Sequence, residues 1–144
     1  MRAQLSPDQL GDPRQRVEER FSTSRQKLGD LHTVWYTDSA GRQCEWDDFE
    51  AVAHTVRLAS ENLKRWDRDR ADRLDLLIRR FHTETEPVQL VVPALAVDGE
   101  RALILDGTHR AVAAYHAGVS VTALVYALRV PLAPKTLPDL VHYL

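Results

Sequence analysis

The stretch Leu105-Asp106-Gly107-Thr108-His109-Arg110-Ala111-Val112-Ala113-Ala114-Tyr115-His116-Ala117-Gly118 constrains this chain more than any other. An apolar run of strand length, Ala102-Leu103-Ile104-Leu105, stands before it, and a second, Val119 to Tyr126, follows. Between them Ala111, Val112, Ala114 and Tyr115 recur at helical spacing, and Gly118 stands where a C-terminal cap belongs. The pattern predicts strand, tight turn, helix, strand. Its turn carries a glycine, a hydroxyl, an imidazole and a guanidinium in succession, Gly107 to Arg110.

That succession has a chemical use. The first amides of a helix have no internal partner, and the helix dipole favours negative charge beside them. Gly107 lets a ligand approach the backbone, Arg110 offers a planar fork suited to phosphate oxygens, and Thr108 and His109 add donors. The four residues read as a phosphate cradle. The competing reading is an Asp-Gly turn with Thr108 capping a helix and two solvated basic residues, since short motifs also arise by chance.

Asp-Gly-Thr-His-Arg followed by Ala-x-Ala-Ala-Tyr and a glycine resembles the signature of the ParB/sulfiredoxin superfamily. The comparable turn of sulfiredoxins reads Gly-Gly-Cys-His-Arg, that of ParB proteins Gly-Glu-Arg-Arg, and free-serine kinases of this fold have an Asp-Gly-His type. The resemblance spans about Asp69 to Val130, in the order helix, strand, hairpin, strand, motif, helix, strand. It implies an α/β (α+β) domain, a small mixed sheet flanked by helices. It also implies that Gly107, Thr108, His109 and Arg110 bind the phosphates of ATP, ADP or CTP, with Mg2+. Thr108 stands in place of the sulfiredoxin cysteine, so cysteine-sulfinate repair is not expected.

Whole-chain properties set outer limits. With 144 residues the chain is long enough for one domain with a real core. A net charge of −2 argues against a nucleic-acid partner, which normally meets a basic face. The arginines and lysines from Arg57 to Arg80 alternate with Glu61, Asp67, Asp69, Asp72 and Asp75, the pattern of a solvated, salt-bridged helix surface. Cys44 is the single cysteine, which excludes an intrachain disulfide and makes a cytoplasmic location the expectation. The first residues lack the apolar segment of a signal peptide, and no apolar run approaches membrane-spanning length, so no membrane partner is expected.

In chain order, Ser6-Pro7-Asp8-Gln9 has the capping pattern of a short helix. Arg14 to Leu28 reads as a second helix with sparse anchors, Val17, Phe21 and Leu28. Residues 1–30 are thus expected to form a helical extension or arm, suited to a protein partner or a homodimer, and residues 31–144 the nucleotide-binding domain. A hairpin is expected over Leu31–Thr37 and Gln43–Trp46. Asp47 and Asp48 then open a helix with Phe49, Val52, Ala53, Val56, Ser60, Leu63 and Trp66 on one face. A further helix buries Ala71, Leu74, Leu77, Ile78 and Phe81. Val88–Val97 reads as a strand with an edge or bulge at Pro93, turning at Asp98-Gly99-Glu100. A terminal helix starts near Thr136.

Asp106 reads as a base, a magnesium ligand, a partner of His109 or Arg110, or simply an Asx-type turn residue. Glu84 and Glu86, in the loop before the Val88 strand, are carboxylates that can face the same cleft, although a solvated loop explains each one alone. The candidate catalytic set is Asp106, Glu84, Glu86 and His109, with Asp106 the candidate metal ligand. Two functions fit. One is an enzyme that hydrolyses a nucleotide or moves its terminal phosphate to a hydroxyl of a small-molecule substrate. The other is a non-catalytic module whose partner affinity is gated by nucleotide. A ParB-like nuclease or DNA-binding role is disfavoured by the charge.

Overall fold

A computed structural model describes residues 16–143. Its elements run β1 (Val17–Ser22), α1 (Arg25–Gly29), β2 (His32–Thr37), β3 (Gln43–Cys44), β4 (Val52–Thr55), α2 (Val56–Glu61), α3 (Arg68–His82), β5 (Val88–Ala96), β6 (Ala102–Ile104), α4 (Thr108–Ala117) and β7 (Val121–Leu128). Single 3-10 turns lie at Leu63–Arg65 and Pro138–His142. One mixed seven-stranded sheet has the order β1-β7-β5-β6-β2-β3, with β4 also paired to β2. The fold is mixed α/β. The expected helix at Ser6-Pro7-Asp8-Gln9 lies outside the described residues.

Side-chain alternation explains how the layers assemble. Along β5, Val88, Leu90, Val92 and Ala94 are buried while Gln89, Val91 and Pro93 are exposed, the period of two that a half-covered strand requires. α4 packs on β5 and is flanked by α2 and α3, which covers the buried face. In β2 the period is hidden because both faces are covered. Trp35 meets Trp66 and His109 on the helix side. Tyr36, pointing the other way, donates to Asp139 Oδ1 at 2.5 Å beneath the C-terminal 3-10 turn. Leu137 and Leu140 of that segment are fully buried.

The β5–β6 hairpin turns as expected at Asp98, whose Oδ1 accepts from the amides of Glu100 and Arg101 at 2.9 and 2.7 Å. Pro93 falls where the antiparallel ladder to β6 ends. Its carbonyl accepts from Leu105 N–H at 2.9 Å, and its missing donor lies on that same side of the strand. The parallel ladder to β7 continues past it.

Three expected helices fold differently. Arg14 to Leu28 is not one helix: residues 17–22 form β1, laddered antiparallel to β7 from Val17↔Leu128 to Ser22↔Ala123, and only 25–29 are helical. Val17 and Phe21, four apart, satisfy helical spacing and also one face of a strand, and the β7 edge decides between them. These residues are therefore part of the sheet and not a helical arm.

The single helix expected from Asp47 also gives way. Asp48 Oδ1 binds Glu50 N–H in a local turn, and 52–55 pair with β2 before Thr55 caps α2 through Leu58 N–H. At the C-terminal end the expected helix from Thr136 is one 3-10 turn.

Candidate functional site

The turn before α4 is set by Gly107. It takes φ +94° and ψ 15°, a left-handed conformation that L side chains rarely adopt, and it occupies the N-cap position. An ideal Cβ on Gly107 would meet nothing within 4 Å, so the turn opens outward. Gly107, at the N-cap, has no side chain to cap α4, and the first intrahelical bond is Ala111 N–H to Gly107 O at 3.1 Å. The amides of Thr108, His109 and Arg110 come before that bond. Asp106 Oδ1 accepts from Gly107 N–H at 3.0 Å, which makes its carboxylate part of the turn.

The three side chains that follow leave in different directions. Thr108 is buried and does not cap the helix. Arg110 is exposed; its Nη2 donates to Gln89 O at 3.3 Å. It lines a cleft of about 390 Å³ together with Arg80, Phe81, Glu84 and Pro87. His109 turns instead towards β2 and the first turn of α3, where its ring meets Trp35 edge-on with centroids 4.9 Å apart. Glu84 therefore shares a cleft with Arg110, whereas Glu86 is exposed and is not among the residues lining it. Gly107 to Arg110 form a backbone turn whose side chains diverge, Arg110 to the cleft and His109 towards Arg70 and Arg73, rather than converging on one point.

The His109 side carries charges that the motif alone did not indicate. Burial, and then the Arg73 and Arg70 guanidiniums, push the His109 pKa down to about 4, with Asp67 opposing. The imidazole is uncharged at neutral pH. Arg70 lies over Trp35 at 4.2 Å and over Trp66 at 5.1 Å from the ring centroids. Its Nη1 is buried without a hydrogen-bond partner among the described residues. Asp67 caps α3 by accepting Arg70 N–H at 2.9 Å and takes Gln43 Nε2–H at 2.8 Å, which ties β3 to this corner.

Reading the arginine run as a solvated helix face missed Arg70. The available signal was that Arg70 precedes Leu74 by four positions on the helix, and so shares the face that packs inward.

The remaining histidines have structural partners. Arg65 Nη1 can only donate, so His54 Nδ1 accepts at 3.3 Å and Nε2–H faces Thr37 Oγ1 at 2.7 Å. Burial, then Arg65, lowers the His54 pKa. His116 Nδ1 donates to Ser60 O, His82 Nε2 to Ala117 O and His142 Nε2 to Trp46 O. Among the described residues no group of three or more His, Cys, Asp or Glu is placed to hold a metal ion.

A phosphate group fits the donors at the α4 turn: the amides ahead of the first intrahelical bond, open space at Gly107, and the exposed Arg110 guanidinium. The carboxylate that the turn itself could offer a magnesium ion is Asp106. That suits a cation that keeps its waters and shares phosphate oxygens. Comparison with family models, characterised proteins and solved structures finds no match to this chain.

Proposed function

We propose that the α4 turn binds the phosphates of a nucleoside di- or triphosphate and that the protein hydrolyses the terminal phosphate or transfers it to a small hydroxyl compound. The observation that carries this reading is the α4 N-terminus, which opens from a left-handed Gly107 with no side chain to cap it, beside the exposed Arg110 guanidinium. The resemblance of Asp106–Tyr115 to the ParB/sulfiredoxin signature supports the same reading.

Within it the amides of Thr108 to Arg110 orient the phosphate chain, and Arg110 neutralises charge from the cleft side. His109, turned towards Trp35 and neutral, adds no charge to the site. Bound magnesium would neutralise charge on the phosphate oxygens, with Asp106 as its protein ligand. Glu84, which lines the same cleft as Arg110, is the carboxylate we assign to take the proton of an acceptor hydroxyl. The net charge of −2 sets nucleic acid aside as a partner.

The test is phosphate release and product analysis with ATP, ADP and CTP plus magnesium, with and without hydroxyl acceptors. Wild-type protein is expected to turn over at least one nucleotide. Asp106→Asn and Glu84→Gln should bind it and lose turnover. Tight binding with no turnover under any of these conditions assigns the chain instead to a nucleotide-gated binding module.

A further inference from the structure

β1 is the terminal strand of the sheet. Its ladder runs to β7, and among the described residues no strand pairs its other edge. It also carries an uncovered apolar face. Val17 and Phe21 are 40% and 68% exposed, and Phe21 stands in register with Leu124 of β7 and, beyond it, Val91 of β5, itself 61% exposed. An exposed edge with an apolar face is a template for another strand, and proteins normally blunt such edges.

The residues of β1 specify which strand. A two-fold axis pairing two copies of β1 antiparallel stands perpendicular to the sheet, so it must pass through a residue position. Centred on Glu18, it opposes Glu18 to itself and Arg16 to Arg20. Centred on Arg20, it opposes Arg20 to itself. Centred on Glu19, residues 17–21 of the two copies all pair: Val17 faces Phe21 of the second copy, and Glu18 faces Arg20 of the second copy, twice each.

Only Glu19 then meets its own kind, on the solvent-facing side. Glu18 and Arg20 already lie together on the other face, with Arg129 bonded to Glu18, so the pairing would join two such clusters into one alternating network. We propose that a second copy of this chain docks on β1, register Val17 to Phe21 about Glu19, to form a two-fold dimer with a continuous sheet.

Sedimentation of the full chain over a range of concentrations tests this. The wild type should shift from monomer to dimer and stop there, because an isologous edge is used up by one partner. Glu19→Gln removes the only opposed like charges and should tighten the dimer several-fold. Phe21→Lys alters a residue that the monomer leaves exposed; it should keep the wild-type circular dichroism and weaken the dimer by at least about tenfold. A wild type monomeric throughout, an assembly growing beyond the dimer, or a dimer unmoved by both substitutions would overturn the proposal.

Discussion

The imidazole of His109 and the indole of Trp35 meet edge to face, with centroids 4.9 Å apart and planes at 74°. The contact joins the second residue of α4 to β2 and holds the imidazole half-buried beside Arg73 and Arg70, which is why its pKa is pushed down to about 4. A folded-state pKa below the ordinary value of 6.5 means that the unfolded chain takes the proton more readily. Stability from this group is complete above about pH 6.5 and is lost as pH falls towards 4. His32 and His54 shift in the same direction, both chiefly through burial. Wild-type protein should therefore lose thermal stability through this window, and His109→Gln should lose measurably less. Equal losses in the two proteins would show that His109 is not held neutral by its surroundings.

Arg73 should act on that imidazole through charge alone, since its own side chain is exposed. Arg73→Gln is expected to leave the fold intact and raise the His109 pKa, read from the imidazole proton shifts in a pH titration. A single surface substitution of this kind changes stability by about 0.5 kcal/mol or less.

Gly107 is required by conformation rather than by crowding. With φ at +94° and no atom within 4 Å of a Cβ, the whole penalty of Gly107→Ala is backbone strain. That penalty is on the order of 1–2 kcal/mol, seen in the denaturation midpoint. Gly107→Val should in addition block phosphate approach to the α4 amides, so calorimetry would find nucleotide affinity lost beyond the stability effect.

Gly29 is required by crowding rather than by conformation. A Cβ there would lie 2.6 Å from Tyr115 Cε2 and 3.3 Å from Arg57 Cβ, so α1 could no longer sit against α4. Gly29→Ala should destabilise the protein by about 1–3 kcal/mol, the usual range for overpacking. Combining it with Tyr115→Leu should recover part of that loss in a double-mutant cycle; strictly additive losses would place the clash elsewhere.

These contacts mark where sequence was informative. The strand-turn-helix-strand unit from Ala102 to Leu128 was legible because its period changes from two to 3.6 and back, with glycines at both ends of the helix. α3 was legible from Leu74, Ile78 and Phe81. β1 and β4 were not: Val17 and Phe21, like Val52 and Val56, fit either period, and only pairing with β7 and β2 resolves them. At the site, the backbone turn could be anticipated from Asp106 and Gly107. The opposite directions of His109 and Arg110 follow from consecutive positions on a helix pointing to different faces. The Arg70–Trp35 stack joins residues 35 apart in sequence, and no local pattern announces it.

The central claim, a phosphate site at the α4 turn, is tested most directly by isothermal calorimetry of wild type and Arg110→Ala with magnesium and each of ATP, ADP and CTP. Arg110 is exposed and, among the described residues, bonded to a backbone carbonyl alone, so its loss should leave the melting temperature nearly unchanged. Losing one charge-assisted phosphate contact should weaken binding by roughly 1.5–3 kcal/mol. The account predicts saturable binding of at least one nucleotide by the wild type and that loss in the variant. A wild type that binds none of the three, or a folded Arg110→Ala protein with undiminished affinity, would contradict it.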